Sequence, residues 1–190
     1  MNLSIKALSP DTAEDFFTFF DHIAFSDNPD WAGCYCMYYH NNGSIEDFAN
    51  STAEKNRKAA AALIESGGMQ GFLAYLDDGP AGWCNVNKKT AYPFLLKDPQ
   101  ILSPEDHRCR AVTCFTIAPG YRRRGIARRL LEHIIEDHRL HHQGILEAYP
   151  RKQAEGDAQH YHGPLELYLS SGFKAVKSLD QYTIVRYPGD

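Results

Sequence analysis

Three consecutive arginines, Arg122 to Arg124, stand directly before Gly125 and a long run of helix-forming residues. We expect them at the N-terminal end of a helix, just after a buried strand that ends at Pro119. That end of a helix carries unpaired N–H groups and a positive dipole, so clustered cations are unfavourable there unless an anion lies among them. Gly125 would let such a ligand approach the backbone closely. The pattern therefore predicts a phosphate or pyrophosphate site, and a solvated surface cluster of arginines is the alternative.

The motifs around the arginines indicate which class of phosphate-containing ligand would bind there. Neither G-x-x-x-x-G-K-[ST] nor G-x-G-x-x-G occurs, which argues against the common nucleotide-binding loops. The chain instead has Arg122-x-x-Gly125-x-Ala127, directly after the run from Phe115 to Pro119. This segment resembles the acyl-CoA-binding motif of the GNAT superfamily of N-acyltransferases, with Ala127 in place of the commoner second glycine. The resemblance continues to Tyr168, on a predicted short helix that ends in Gly-Phe.

The resemblance implies where acetyl-CoA would bind as the cosubstrate. The backbone of residues 115–117 would pair with the pantetheine arm as an added strand does. The N–H groups of residues 123–127 would hold the pyrophosphate, and Arg128 and Arg129 would reach the remaining phosphate. The strands that flank this site should splay apart. The residues assigned to acetyl-CoA are Phe115, Thr116, Ile117, Arg122, Arg123, Arg124, Gly125, Ile126, Ala127 and Arg128.

The resemblance also implies the reaction, a direct attack of a primary amine on the thioester carbonyl. A backbone N–H near residues 115–117 would stabilise the oxyanion, and Tyr168 would protonate the departing thiolate. A purely structural role for Tyr168 as a core tyrosine is the alternative. Many family members carry a glutamate base where this chain has Ala111, and a water chain or a less basic amine would remove the need for one. The candidate bases in this chain are His107, Glu147, His160 and His162.

The stretch WAGCYCMYYH, residues 31–40, holds two of the five cysteines. In the resembled fold this connection borders the acceptor cleft, so we predict that Trp31, Tyr35 and Cys36 line the pocket for the acceptor. If the stretch is extended, Tyr35 lies on an aromatic side and Cys36 on the opposite side. Ordinary packing of an apolar connection is the alternative.

Two groups of residues have a spacing that suits metal ligands. A closed zinc site needs four ligands, and the candidates are Cys34, Cys36, His107 and Cys109. Nothing in the sequence brings these two segments together. His138 and His142 lie four residues apart on a predicted helix, but no cysteine or carboxylate cluster completes the set. We therefore expect no metal site, and we interpret the histidines as the solvated end of a helix.

The remaining elements follow from hydrophobic periodicity and turn residues. The sequence predicts strands at 3–8, 109–119, 144–150, 174–179 and 182–188, a hairpin at 71–89, helices at 9–25, 44–68, 121–143 and 163–173, and a polar loop at 151–162. This order predicts a single domain over residues 1–190, of the α/β (α+β) class. Its architecture would be the family's mixed, mostly antiparallel central sheet, flanked by helices on both faces.

Composition limits the partners of the protein. A net charge of −4 argues against a dedicated nucleic-acid binder, whose surface would be broadly basic. We see neither a signal peptide nor a run of apolar residues that could span a membrane. The odd number of cysteines, five, favours reduced thiols and a cytoplasmic location. We expect a small-molecule or protein amine as acceptor, no nucleic-acid or membrane partner, and a monomer or homodimer. The alternative functions are a catalytically inactive CoA-binding sensor or interaction module and, less favoured, a metal-binding regulatory protein.

Overall fold

A computed structural model describes residues 2–141, 144–153 and 156–187. The strands of this part are β1 Leu3–Ala7, β2 Gly71–Leu76, β3 Gly79–Lys88, β4 Cys109–Ile117, β5 Ile145–Ala148, β6 Lys174–Ser178 and β7 Thr183–Tyr187. The α-helices are α1 Ala13–His22, α2 Ile45–Ala49, α3 Ala53–Glu65, α4 Ile126–His141, α5 Gly156–Gln159 and α6 Leu165–Leu169. Short 3₁₀ turns join several of these elements.

The strands form one sheet in the order β1-β2-β3-β4-β5-β7-β6. Neighbouring strands are antiparallel except for β4 and β5, which run parallel in the middle of the sheet. A parallel pair needs a long crossover, and α4 supplies it between these two strands. The predicted mixed, mostly antiparallel sheet is therefore confirmed.

Helices cover both faces of the sheet, as predicted. On one face, Phe16, Phe19 and Phe20 of α1 recur at helical spacing and pack with Trp83 of β3 and with α3. On the other face, α4 buries a stripe that includes Leu130 against β2, β3 and β4. Burying one such large apolar side chain stabilises the fold by roughly 1.5–3 kcal/mol, so these two cores hold the sheet in place.

Two predicted segments have a different local structure. The helix predicted over 44–68 is interrupted after α2, because the Thr52 side chain accepts a 3.2 Å hydrogen bond from the Lys55 N–H and starts α3 as a new helix. A capping box joins Ser44 and Asp47 at the start of α2. The polar loop predicted over 151–162 contains the short helix α5 and a 3₁₀ turn at its end. Within the described residues, no helix is long and apolar enough to cross a membrane.

Candidate functional site

The two halves of β4 have different neighbours. On one side β4 pairs with β3 along its length, with a bulge at Thr113. On the other side the parallel ladder with β5 ends at Val112, although β4 continues to Ile117. The edge of residues 113–117 that faces β5 therefore lies outside that ladder. Phe115 and Thr116, whose backbone is predicted to pair with pantetheine, lie on this segment.

The side chains of this segment point to the two faces of the sheet. Phe115 and Ile117 pack into the core under α4. Cys114 contacts the opposite core, and its Sγ lies 3.6 Å from the hydroxyl oxygen of Thr116. Phe115 and Ile117 thus face α4, whereas Cys114 and Thr116 face the side of α1 and α3.

A turn with unusual backbone geometry leads from β4 to α4. Arg123 and Gly125 have positive φ angles of 60° and 80°. A Cβ at Gly125 would meet no atom within 4 Å, so the space beside the backbone is open. The first helical hydrogen bond runs from the Arg129 N–H to the Gly125 carbonyl at 3.0 Å, which leaves the N–H groups of residues 126–128 outside the helical ladder. Open space and unpaired donors at the positive end of a helix fit a phosphate group.

The helix predicted from residue 121 begins only at Ile126. The positive φ angles at Arg123 and Gly125 do not occur inside a right-handed helix, so they end the preceding turn and delay the start of α4. The arginines therefore lie in the turn before the first helical residue and not in the first turn itself. They still surround the positive end of the helix dipole.

The arginines of the turn have different surroundings. The Arg122 Nε donates to the carbonyl of Ile117 at 3.1 Å, and its guanidinium pairs with Asp27. This pairing holds the pKa of the Asp27 carboxyl below its ordinary value. The Arg124 guanidinium lies 5.7 Å from the ring centroid of Tyr121. Arg122 thus ties the turn to the end of β4, whereas Arg124 is exposed beside Gly125.

The next two arginines lie on the exposed surface of α4. Arg128 donates to the Ser170 hydroxyl at 3.0 Å, and Arg129 pairs with Glu132 at 3.0 Å. Exposed pairs of this kind are worth about 0–1 kcal/mol, so either side chain could turn toward a phosphate at little cost.

Tyr168 of α6 is fully buried and lies next to β4. Its hydroxyl donates a 2.6 Å hydrogen bond to the backbone carbonyl of His162, and its ring centroid lies 6.4 Å from that of Phe115. Burial raises the pKa of Tyr168 well above its ordinary value, and the thiols of Cys84 and Cys114 add to the shift. The phenol therefore keeps its proton at neutral pH, as a general acid requires.

Glu147 of β5, one candidate base, takes part in a buried network that holds the fold together. It is fully buried, and its carboxylate accepts hydrogen bonds from Lys89 at 2.8 Å, Arg186 at 2.7 Å and Tyr149 at 2.6 Å. Both carboxylate oxygens are thus engaged in fixed contacts, Oε1 with Lys89 and Tyr149 and Oε2 with Arg186. The network joins β5, β7 and the segment after β3.

The candidate histidines differ in burial. His107 and His160 are exposed. His162 is 6% exposed and lies in the 3₁₀ turn before α6, with its Nε2 2.9 Å from the Tyr39 hydroxyl. Ala111, at the position where the resembled family often has a glutamate, is fully buried. Among these residues, His162 is the one that is both buried and next to Tyr168.

The stretch WAGCYCMYYH is not extended. A 3₁₀ helix covers Pro29–Cys34, and Tyr35 and Cys36 have positive φ angles of 44° and 57°. The two sides expected for an extended chain therefore do not exist, and both residues are buried. Tyr35 packs against Phe20 of α1, and its hydroxyl donates to Asp21 at 2.6 Å. The ring of Tyr35 thus belongs to the core under α1.

Trp31, by contrast, reaches the region of Tyr168. Its side chain is 38% exposed, and its ring centroid lies 5.7 Å from that of Tyr161. Tyr161 stacks on His162 with a centroid distance of 4.3 Å. The carbonyl of His162 is the group that holds the Tyr168 hydroxyl. Trp31 is therefore the member of the predicted pocket that lies at the exposed edge of this cluster.

Cys36 lies in a buried polar network. Its Sγ accepts a 3.2 Å hydrogen bond from the Asn85 amide, whose oxygen accepts from the Tyr92 hydroxyl at 2.7 Å. Burial raises the pKa of a thiol, but hydrogen bonds from side chains that include Cys114 and Asn85 outweigh it and lower the pKa of Cys36. The network brings the connection 31–40 against the free half of β4.

Sequence reasoning missed several of these residues. Asn85 and Asn87 are polar positions in the middle of a buried strand, a pattern that signals a polar network or a site. Tyr39 and Tyr92 gave no comparable signal, because their partners are distant in sequence. Gly163, with a φ angle of 77° directly after His162, could have been noticed as a required turn glycine.

Metal-ligand geometry is absent from the described ranges 2–141, 144–153 and 156–187, where no group of three or more His, Cys, Asp or Glu side chains could hold an ion. His138, expected on a solvated helix end, is only 3% exposed, because the end of α4 packs on the start of β5 and places its Nε2 3.3 Å from the Gly144 carbonyl. His142, its predicted companion, lies outside the described residues.

Solved structures of acetyltransferases share this fold. The chain aligns with the PaiA N-acetyltransferase from Thermoplasma acidophilum in complex with coenzyme A at a TM-score of 0.55 and 17% identity, over 98% of this chain and 99% of that chain. The ribosomal-protein-S18-alanine N-acetyltransferase from Escherichia coli gives 0.54 and 15%, over 98% and 94%. The polyamine N-acetyltransferase of Drosophila melanogaster, which forms N-acetylagmatine, gives 0.55 and 11%, over 98% of both chains. At these identities the likeness establishes the fold alone.

The family follows from a different comparison. A search of curated proteins finds no match. The model of the acetyltransferase (GNAT) family, however, matches residues 7–162, which contain β4, the turn with the arginines and α4. This match covers most of the chain, including the segment whose geometry fits a phosphate group. The protein therefore belongs to the GNAT family of acetyltransferases.

Proposed function

We propose that the protein is an acetyl-CoA-dependent N-acetyltransferase that acts on a primary amine of a small molecule or a protein. The observation that carries the proposal is the end of the β4–β5 ladder at Val112, directly before the open turn at Gly125. The free strand edge offers donors and acceptors to an extended arm, and the turn offers N–H groups to a phosphate. A coenzyme A complex of one structural neighbour supports the same ligand.

Each part of the site would have its own role toward acetyl-CoA. The backbone of residues 115–117 would pair with the pantetheine arm. The N–H groups of residues 123–127 would hold the pyrophosphate, with Arg124 beside them in solvent. Arg122 would keep the turn in position through the carbonyl of Ile117, because its guanidinium is already engaged there and at Asp27. Arg128 would turn from Ser170 to a phosphate.

The proposed reaction is a direct acyl transfer. The amine nitrogen forms a bond to the acyl carbon, and the bond from that carbon to sulfur breaks. A backbone N–H near the bulge of β4 stabilises the oxyanion while both bonds exist. Tyr168 gives its proton to the departing thiolate, and the amine loses one proton. Tyr168 suits this task because burial keeps it protonated at neutral pH.

The test combines binding and turnover. Calorimetry should detect binding of acetyl-CoA to the purified protein, and Gly125→Asp and Arg124→Glu should each weaken it at least about tenfold. Lys58→Glu, an equal change of charge on the exposed side of α3, is the matched control and should leave binding unchanged. Release of free thiol should then identify accepted amines in a panel of polyamines, arylalkylamines and peptide N-termini. Equal affinity of all variants for acetyl-CoA would contradict the proposed phosphate site at Gly125.

A CoA-binding module without catalysis is the second candidate. The observation in its favour is that neither Ala111, which is apolar, nor Glu147, which is paired with Lys89 and Arg186, offers a free carboxylate base. Such a module would bind acetyl-CoA with the same dependence on Gly125 but would release no thiol with any amine. Thiol release that Tyr168→Phe reduces would exclude it.

We further propose a single domain over residues 1–190, active in the cytoplasm as a monomer or homodimer. Its five cysteines are all free thiols, which supports a reducing compartment. Light scattering of the purified chain would give the oligomeric state directly.

A further inference from the structure

His162 has an unsatisfied ring nitrogen beside β4. The residue lies in the turn His160–His162, which packs against β4. Its Nε2 lies 2.9 Å from the Tyr39 hydroxyl. Its Nδ1 is buried and has no hydrogen-bond partner among the residues that the structure describes. Because a buried polar atom without a partner costs free energy, Nδ1 marks a position that a substrate or water group would fill.

The same turn contains the carbonyl that orients Tyr168. Burial raises the pKa values of Tyr168 and Tyr39, and the Cys114 thiol contributes to both shifts, so both phenols lie within electrostatic reach of Cys114. Cys114 is the first residue after the bulge of β4, where the β4–β5 ladder has ended. His162 is therefore at the point where the proposed acyl transfer would take place.

A chain of hydroxyl groups leads from His162 toward solvent. The phenols of Tyr39 and Tyr161 interact, and each contributes to the pKa of the other. Tyr161 is half-buried and contacts Trp31, whose side chain is 38% exposed. Two phenols thus connect the buried Nε2 with the surface of the protein.

We propose that His162 is the general base of the acyl transfer and that Tyr39 and Tyr161 carry the proton from it to solvent. The inference rests on the proposed function. As the amine nitrogen bonds to the acyl carbon, Nδ1 takes its proton and Nε2 passes its own proton to the oxygen of Tyr39. The Tyr39 proton moves to Tyr161 and then to water. The broken carbon–sulfur bond leaves a thiolate, which Tyr168 protonates and solvent later restores, so the protons balance.

The electrostatics of the site favour transfer of the amine proton through His162 over its retention on the imidazole. Burial, with a contribution from the charge of Arg151, lowers the pKa of His162 to about 3. The imidazole is therefore neutral at physiological pH, and the tautomer that donates from Nε2 to Tyr39 keeps a lone pair on Nδ1 for the amine proton. Because a full imidazolium is unfavourable there, a proton that enters at Nδ1 must leave at Nε2 in the same step. Such a base would make a glutamate at Ala111 unnecessary.

The first experiment compares His162→Gln with His160→Gln, the exposed neighbour in the same turn, using an amine that the wild type accepts. We expect His162→Gln to lower kcat/KM by about 100- to 10,000-fold, the usual contribution of a general base, with the Kd of acetyl-CoA changed less than about twofold. Tyr39→Phe should lower kcat about tenfold by interrupting the relay. His160→Gln should behave like the wild type. Retention of activity by His162→Gln within about threefold would overturn the proposal.

The second experiment separates basicity from packing. In His162→Ala, added imidazole should restore part of kcat, whereas pyrrole, which has the same size but no basic nitrogen, should not. This comparison stays informative if the substitution loosens the fold, because both probes fill the same space. Equal effects of imidazole and pyrrole would assign His162 a packing role only. If the wild type itself binds acetyl-CoA but acylates no amine, the proposed function fails, an outcome distinct from failure of the base alone.

Discussion

The Tyr168 hydroxyl and the backbone carbonyl of His162 lie 2.6 Å apart, and their hydrogen bond fixes the direction of the phenol beside β4. Gly163, with a φ angle of 77°, turns the chain directly after that carbonyl. A hydrogen bond of this kind contributes about 1 kcal/mol net, so a thiolate, as a charged and stronger acceptor, can displace the carbonyl when it forms. The resting contact thus holds the proton donor in place without trapping its proton.

Tyr168→Phe removes this donor while keeping the ring. We expect kcat to fall by about 10- to 100-fold and the Kd of acetyl-CoA to stay within about twofold of the wild type, because the hydroxyl acts on the leaving group only. Loss of the buried hydrogen bond should lower the free energy of unfolding by about 1 kcal/mol. Tyr182→Phe, which loses a hydrogen bond to Asp98 and leaves the one between Tyr168 and His162 intact, is the control and should keep full activity. An unchanged kcat in Tyr168→Phe would mean that this tyrosine has a structural role only.

Gly163→Ala tests the turn that positions the same hydroxyl. The added methyl carbon would lie 3.2 Å from Cε2 and 3.3 Å from the hydroxyl oxygen of Tyr168, and the positive φ angle strains any L-residue. We expect a loss of about 1–3 kcal/mol in unfolding free energy together with a lower kcat. Gly67→Ala is the control, because Gly67 has a similar φ angle of 69° but no atom lies within 4 Å of the added carbon. That control should lose stability without losing kcat, measured by denaturant unfolding and steady-state kinetics.

Gly125→Ala tests the open turn before α4. Gly125 and Gly67 have similar φ angles, 80° and 69°, and open space beside both, so the strain of either substitution should be similar, about 1–2 kcal/mol. Only at Gly125 do we expect a ligand in that space, so acetyl-CoA affinity should fall more than about tenfold in Gly125→Ala and stay constant in Gly67→Ala. Equal affinities in the two variants would mean that phosphate does not approach the backbone at Gly125.

Local and periodic features explain why much of the fold was predictable. The stripe with Leu130 on α4, the hairpin of β2 and β3 and the sequence from Phe115 to Ala127 all depend on neighbouring residues. The break at Thr52 also has a local cause, since a capping threonine follows Asn50 and Ser51, but the helical pattern on both sides conceals it.

Features that depend on tertiary contacts were not predictable. Tyr39 and His162 meet across 123 positions of the chain, and Asn85 meets Cys36 across 49. No periodicity encodes such pairs, which arise only when the sheet brings distant connections together. The positive φ angle at Tyr35 was likewise hidden, because tertiary packing imposes on a tyrosine a backbone conformation that usually favours glycine.

The depressed pKa of His162 predicts loss of stability in acid. Its pKa falls from 6.5 in the unfolded chain to about 3 in the folded protein, so between these values the unfolded chain binds a proton that the folded protein does not. Stability is fully present above pH 6.5 and declines by up to about 1.4 kcal/mol per pH unit as the pH drops toward 3. Partly buried His40, with its pKa lowered to about 4 by desolvation, acts in the same direction. His162→Gln should flatten the slope between pH 6 and 4 in denaturant titrations, and exposed His160→Gln should leave it unchanged. An identical slope in wild type and His162→Gln would show that His162 is not neutral in the folded protein.

Trp31 and Tyr35 should differ in their effects on the acceptor, although both were predicted to line its pocket. Trp31 is partly exposed and contacts Tyr161, so Trp31→Ala should raise the KM of the acceptor amine about tenfold without changing the Kd of acetyl-CoA. Tyr35 packs under α1 and bonds to Asp21, so Tyr35→Phe should lower the unfolding free energy by about 1–2 kcal/mol and leave the acceptor KM unchanged. Cys36→Ser should raise the acceptor KM less than Trp31→Ala but more than Tyr35→Phe. The reason is that the Cys36 side chain is buried but belongs to the network beside β4. A higher acceptor KM for Tyr35→Phe than for Trp31→Ala would place the acceptor against α1, on the opposite side of the connection from Tyr168.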